Sequence, residues 1–563
     1  MAAAIIKRCP ERAPTSNEQY WFRLPAAPNL GICSRCYHDH LEPTPFVASF
    51  ELDYDPSNAE RFCDFNHPRM LAVLRQALGQ NSFDMLQTYM IGRGGIPRCK
   101  GGGVTVAADE GFAWFQLTDP SLAGRFGVCH ACYEDYIVPS NFVRHFASAP
   151  FRQPPGELYE CDLGWSFTKK LIPRVSDWNQ FVTHGLRRKL LPRCGGLAEV
   201  DGSSRSWFKF RASDLDMLWM CEACYDDQIS MTVLDQHVYQ AQALAPGAKI
   251  RCFASKTIPL RVALDQASWK QNFNLFYRAA QVFVRSPPCV EQGMQNAVWY
   301  SLNPPAEEFD VCASCYACFF ESTGAGNFLV PKRVPQGQTR ICNFNLASPR
   351  ALAYCLKMDE ALDRDDPGVF INYARRMSQF PPCPKSDVIT NGTWYRHEMF
   401  SSCPSCWAEV VDGTRLESAF GSRNEVYAGK LKCDFYSSRV RTLWQEACSK
   451  NDLAGFVAFM TRRLEIWQQT YPQIQQGLMM MRINAQRQST LMLSSTMLHG
   501  ANNIAAAAGV HGNYGNSQIG WGYDTYAGAE GAAQFNQALG MNTSNGGLIA
   551  SIMQLETMWK SVE

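Results

Sequence analysis

Twenty of the 23 cysteines recur in one order: a single Cys, a C-x2-C pair, then another single Cys. The five sets are Cys9, Cys33, Cys36 and Cys63; Cys99, Cys129, Cys132 and Cys161; Cys194, Cys221, Cys224 and Cys252; Cys289, Cys312, Cys315 and Cys342; and Cys383, Cys403, Cys406 and Cys433. Four thiolates per set is the ligand count of a closed structural zinc site. A chain carrying five such sets is expected to fold as tandem units, each held by its own ion.

The spacing sharpens this reading. The C-x2-C pairs begin at 33, 129, 221, 312 and 403, so the pitch is 96, 92, 91 and 91 residues. A near-constant period indicates duplicated units. The interval from the pair to the last Cys is 27 to 29 residues, while that from the first Cys to the pair ranges from 20 to 30. A loop can vary in length while the metal geometry stays fixed. Redox C-x2-C sites need no outer partners, and iron–sulfur clusters remain the other four-cysteine chemistry. An odd cysteine total rules out complete intramolecular disulfide pairing.

Other residues repeat with the cysteines. A Trp followed by Phe or Tyr precedes each pair: Trp21-Phe22, Trp114-Phe115, Trp207-Phe208, Trp299-Tyr300 and Trp394-Tyr395. These segments read as short half-buried strands, with the Trp as a core plug. An aromatic follows each pair directly: Tyr37, Tyr133, Tyr225, Tyr316 and Trp407. Two positions on stands an acid, Asp39, Asp135, Asp227 or Glu409, but Cys318 in the fourth set. The acid is expected to cap a turn or accept a backbone hydrogen bond. Arg8, Arg98, Arg193, Arg251 and Lys432 each precede a ligand Cys and are candidates to offset thiolate charge. Cys318 could compete as a ligand, and Cys355 and Cys448 read as buried thiols.

Helical stripes follow the last Cys of each set. Pro68 precedes Leu71, Leu74 and Leu78; Trp178, Phe181 and Val182 form a second stripe, and Trp269, Phe273 and Phe276 a third. Ser348-Pro349 reads as an N-cap before Leu352, Cys355 and Leu356. Leu453, Phe456, Met460, Leu464 and Trp467 sustain the fifth. Beyond Tyr471 the composition shifts to Met, Gly, Asn and Gln. Leu478 to Leu498 reads as a Met-rich helix and Gly509 to Gly531 as irregular. Helical spacing returns at Leu548, Ile552, Leu555 and Trp559.

The expected fold is therefore α+β: five tandem zinc-stapled repeats of about 92 residues, each a β-hairpin and zinc knuckle plus helices. They are expected to form an elongated array followed by a helical and irregular C-terminal segment. The boundaries read from sequence are 1–92, 93–187, 188–283, 284–378, 379–470 and, for the assembly segment, 471–563. Each knuckle resembles zinc-ribbon and treble-clef modules in the general sense of a C-x2-C pair with two later cysteines. That resemblance carries no activity across.

Charge and motifs bound the function. Lys plus Arg (53) nearly cancels Asp plus Glu (52), so the whole chain sets up no strong field for nucleic acid or anionic lipid. No apolar run reaches the roughly 18 residues of a membrane span, and an intracellular protein of nucleus or cytoplasm is expected. Phosphate-loop, serine-elbow and zinc-protease motifs are missing, and GRGGIPRCKGGG from Gly92 to Gly103 follows no clear strand. Sulfur at all four positions leaves a zinc ion no open site for water, which argues against catalysis. The function read from these features is a non-enzymatic scaffold with five structural Zn2+ ions. It would mediate protein–protein interaction or assembly, with self-association through 471–563. The alternative is a zinc-knuckle protein binding RNA or single strands, which the charge balance does not favour.

Overall fold

The computed structural model describes residues 5–11, 21–53, 61–122, 124–149, 152–196, 198–254, 259–508 and 525–563. Secondary structure is mixed α and β, and the chain divides into two compact units, Met1–Pro382 and Cys383–Glu563. Four cysteine sets fall in the first unit and the fifth in the second.

Each set is built on the same small sheet. The Trp-aromatic strand is the central one of three in Trp21–Leu24, Trp114–Leu117, Trp207–Phe210, Trp299–Leu302 and Ile389–Arg396. On one side it pairs antiparallel with the strand that ends at the C-x2-C turn. In four sets the Trp lies directly opposite the first Cys of the pair: Trp21 and Cys33, Trp114 and Cys129, Trp207 and Cys221, Trp299 and Cys312. The five indoles are buried, as a module with little other core requires. On its other side the Trp strand pairs with a strand from beyond the knuckle, such as Glu51–Asp53 or Phe146–Ser148. The hairpin read from sequence is thus two-thirds of the sheet.

Two helices, not one, follow the last Cys. They span Pro68–Gly79 and Phe83–Gly94, Ser166–Leu171 and Trp178–Leu190, Leu260–Trp269 and Phe273–Arg285, Ala351–Asp363 and Pro367–Ser378, and Ser438–Lys450 and Leu453–Ala507. His67 caps the first of these through Nδ1, which accepts from Met70 N at 3.2 Å. Two expected stripes are corrected. Trp269 ends one helix and Phe273 begins the next, so they share no helical face. The fourth-set helix starts at Ala351, two residues beyond the expected Pro349, and Leu352 is 69% exposed. Its buried face is Ala351, Tyr354, Met358 and Ala361, because Tyr354 packs on Phe309 and Phe344.

Within the first unit, the first three helical pairs each pack on the knuckle of the next set. The Pro68–Gly79 helix meets the turn Tyr133–Ile137, the Ser166–Leu171 helix meets Tyr225–Ile229, and Phe273–Arg285 meets Tyr316–Glu321. The equivalent turn of the first set carries exposed His38, Asp39 and Glu42. One contact departs from nearest-neighbour stacking. Lys7 donates from its backbone to Asp363 at 2.8 Å and from Nζ to Asp365 at 2.6 Å, and Arg8 lies over the Trp269 ring at 5.7 Å. The strip leading to Cys9 therefore rests on helices of the third and fourth sets.

In the second unit the Leu453–Ala507 helix continues through Pro472 and pairs with a Tyr526–Lys560 helix. The expected Met-rich helix lies within the first. Of the stretch expected to be irregular, 509–524 lies outside the described residues, and Tyr526–Gly531 is helical instead. Thr525 caps that helix by accepting from Gly528 N, which fixes the start that the glycines obscured. Ile552 is buried against Gly477, where any added Cβ would meet its side chain at 3.0 Å.

Candidate metal centres

The five cysteine sets converge as five clusters, with the Sγ atoms of each within 4.8 Å of one another. Cys36 and Cys63 bring their sulfurs to 3.6 Å. A tetrahedral ion with Zn–S bonds of ~2.3 Å separates its sulfurs by ~3.8 Å, whereas a disulfide would bring them to ~2.05 Å. The geometry fits a metal ion and not paired disulfides, and all of these cysteines are free thiols.

Three pieces of chain deliver each cluster: the first Cys, the C-x2-C turn and the last Cys. The first Cys is brought beside the last by antiparallel pairing of the chain after one with the chain before the other. Thr105 pairs with Glu160, Val200 with Ile250, Met294 with Arg340, and Ile389 with Leu431. In the first set the bond from Cys63 N to Glu11 O, 3.0 Å, performs this role. The variable first interval is absorbed outside this ladder, so loop length and sulfur position are independent.

The C-x2-C pair forms a short helical turn that runs into a wide one with an i→i+5 hydrogen bond. Examples are Glu42 N to Tyr37 O, Val138 N to Tyr133 O and Ser230 N to Tyr225 O, each 2.9 Å. This π-type winding turns the aromatic after the pair back over the strand. Phe22 stacks on Tyr37, Phe115 on Tyr133, Phe208 on Tyr225, Tyr300 on Tyr316 and Tyr395 on Trp407. Their ring centroids are 3.6 to 4.0 Å apart. The repeated aromatics therefore engage each other, and no base fits between them.

Hydrogen bonds converge on the sulfurs. Cys129, Cys221, Cys312 and Cys403 each donate their N–H to the last Cys of their own set at 3.4 Å. Asn345 Nδ2 reaches Cys289 at 3.3 Å, and Arg441 reaches Cys406 at 3.4 Å. Such donors stabilise thiolates and tune a bound ion. Hydrogen bonding from Cys221, Cys312 and Cys403 draws down the thiols of Cys194, Cys289 and Cys383, while burial pushes Cys161, Cys342 and Cys433 up. One sulfur in a cluster thus ionises at a neighbour's expense, and a divalent cation is what lets all four ionise together.

The cations before the ligands act differently from the sequence reading. Arg98 pairs with Asp64 (2.7 and 2.6 Å), Arg193 with Glu160 (2.6 Å) and Arg251 with Glu199 (3.8 Å). They answer carboxylates, not sulfur. Asp64 in turn accepts from Gly31 N at 3.0 Å, bracing the strand that enters the knuckle, and Asp162 does the same for Gly127 at 2.7 Å.

The acid after the pair is also reassigned. Asp135 is bound by Arg93 of the preceding helix at 2.8 and 2.9 Å, and Asp227 by Arg188 at 3.2 and 2.6 Å. Both arginines stand six positions before a first Cys, Cys99 or Cys194. The residue six before Cys289 is Phe283, and its partner position is Cys318. There the ion pair is replaced by an apolar contact: Cys318 is buried in the core that Phe283 packs against and belongs to no cluster. Cys355 and Cys448 are half-buried and likewise outside the clusters; burial pushes the Cys355 thiol up to about 12. Sequence comparison within the chain held the signal for this latch, in the paired change from Arg and Asp to Phe and Cys.

The glycine-rich stretch serves packing. A Cβ on Gly102 would lie 2.4 Å from the Trp165 ring, and Arg188 covers that ring at 3.9 Å. Gly102 thus seats an indole beside the second cluster, where a phosphate loop would need open space. Among the described residues no helix is long and apolar enough to cross a membrane. No family model, curated protein or solved structure matches the chain, so its five sulfur clusters are what places it among structural metal-binding proteins.

Proposed function

We propose that the protein is a non-enzymatic scaffold in which five Zn2+ ions, each held by one cysteine set, fix tandem modules for protein–protein assembly. The observation that carries this reading is the convergence of four sulfurs, and only sulfurs, at each of five places. Every coordination position of a tetrahedral ion is then filled, which leaves structure as the ion's role. Binding worth about 10–16 kcal/mol per ion, as in zinc-finger peptides, would dominate the stability of a module this small.

Assembly is supported by the C-terminal helical pair. Met479, Leu493, Met497 and Ile504 on one helix and Phe535, Leu539 and Met553 on the other are exposed. From 471 to 507 the only charges are Arg482 and Arg487. Adaptable Met-rich surfaces of this kind suit self-association or partner docking.

Metal analysis of purified full-length protein tests the reading. Five zinc ions per chain in a colourless sample are expected, with a concentration-dependent sedimentation coefficient. A brown sample would assign iron–sulfur clusters, and a metal-free folded chain would refute the proposal.

A further inference from the structure

The second unit contains a cleft of about 480 Å³, within the ~300–1,000 Å³ of small-ligand sites. It lies between the strands Ile389–Arg396 and Ser422–Leu431 and the start of the Leu453–Ala507 helix. Three of its cations, Arg396, Lys430 and Lys432, differ from most of those around the cysteine clusters. Arg98, Arg187, Arg188, Lys189 and Arg193 all reach a carboxylate. Among the described residues these three have no carboxylate within ion-pair distance. Two of them lie instead on rings: Arg396 over Tyr427 at 4.1 Å, and Lys432 over both Trp559 at 4.5 Å and Trp467 at 4.6 Å. Tyr471 stacks on Trp467 at 4.9 Å and continues that wall. The fourth cation, Arg463, is neutralised by Asp434 and Glu563, each at 2.6 Å. Two carboxylates, exposed Glu398 and buried Asp434, line the cleft, and Asp434 and Glu563 act electrostatically on Lys432.

Cations without a carboxylate partner, here Arg396 and Lys430, beside partly exposed aromatic faces are what a planar ring bearing a phosphate requires. The phosphate takes charge-assisted hydrogen bonds and the ring stacks. We propose that this cleft binds a nucleotide, with Arg396 and Lys430 on the phosphate and Tyr427, Trp467 and Tyr471 around the base. Free nucleoside monophosphate and the terminal nucleotide of a single strand share this chemistry. The site is independent of the scaffold reading, because one cleft serves one nucleotide and not a strand along the array.

The test is equilibrium dialysis of the zinc-loaded full chain against the four ribonucleoside 5′-monophosphates, inorganic phosphate, phosphotyrosine and a short oligouridylate. Saturable nucleotide binding at one site is expected. R396A/K430A should weaken it by about tenfold or more, as loss of two charged contacts implies. E398Q should tighten it a few-fold, and Tyr427→Leu should weaken nucleotides more than phosphate. An oligouridylate bound tenfold tighter than the monomer assigns the strand as source; equal affinities assign the free nucleotide. No binding at millimolar ligand, phosphate or phosphotyrosine binding as tightly as any nucleotide, or R396A/K430A and E398Q both leaving affinity unchanged would overturn the proposal. Zinc content and unfolding midpoint, measured on each variant, separate loss of the cleft from loss of the fold. Five bound ions with no nucleotide binding would retire the cleft and leave the scaffold standing.

Discussion

The Arg93–Asp135 latch gives the sharpest test of how the first two modules are joined. Arg93 is 3% exposed and Asp135 0%, and two parallel bonds of 2.8 and 2.9 Å connect them. Replacing Arg93 with Ala removes both bonds from a buried carboxylate and leaves it the His67 ring at 3.3 Å, which costs about 3–5 kcal/mol. At ~1.4 kcal/mol per factor of ten, local opening should rise by two to three and a half orders of magnitude. Hydrogen exchange of the zinc-loaded full chain, read by mass spectrometry on peptides across 131–138, should show that loss of protection. Arg35→Ala is the control: its pair with Asp39 is 42% and 32% exposed, so ~1 kcal/mol or less is expected. The third junction supplies the decisive arm. Phe283 and Cys318 fill the same two positions there without charge, so R93F/D135C should recover most of the protection, as apolar replacements of buried ion pairs do. Unchanged exchange in Arg93→Ala, or a double variant as open as the single one, would refute the argument.

Cys129→Ser should lower the zinc count from five to four and expose the backbone around 114–161, while clusters in other modules stay loaded; metal analysis with limited proteolysis checks this. Gly102→Ala should destabilise the second module by about 1–3 kcal/mol, because the new Cβ pushes Trp165 from under Arg188; a shift in denaturation midpoint reads it. Lys7→Ala removes an exposed pair with Asp365 and should change stability by no more than ~1 kcal/mol. Met479→Glu with Met497→Glu should abolish concentration-dependent sedimentation without altering zinc content, if the exposed helical face mediates assembly.

Much of the candidate site was legible because its chemistry depends on rare residues. Cysteine and tryptophan recur at fixed offsets, and the offsets survive changes in loop length. What sequence reasoning missed depends on pairs of common residues far apart. Arg93 and Asp135 lie 42 residues apart in different modules, so neither helical nor strand periodicity connects them. The third strand of the first three sheets was missed because three residues such as Glu51–Asp53 carry no alternation to detect. The face of the Ala351–Asp363 helix was misjudged because Tyr354, not Leu352, reaches the Phe309–Phe344 core. The tail's continuous helix was hidden by the composition shift beyond Tyr471, which falls within one unbroken helix.

The connector from Arg93 to Cys99 is pinned at both ends to the same module: its arginine grips Asp135, and its cysteine joins the cluster of Cys129, Cys132 and Cys161. The connector from Arg188 to Cys194 is fastened alike. An ion at either of these two clusters would thus be a rivet through an articulation as well as a nail inside a block. Stripping metal from one cluster would free one end of such a strap, so chelation should first set neighbouring blocks swivelling while the helices between them remain wound.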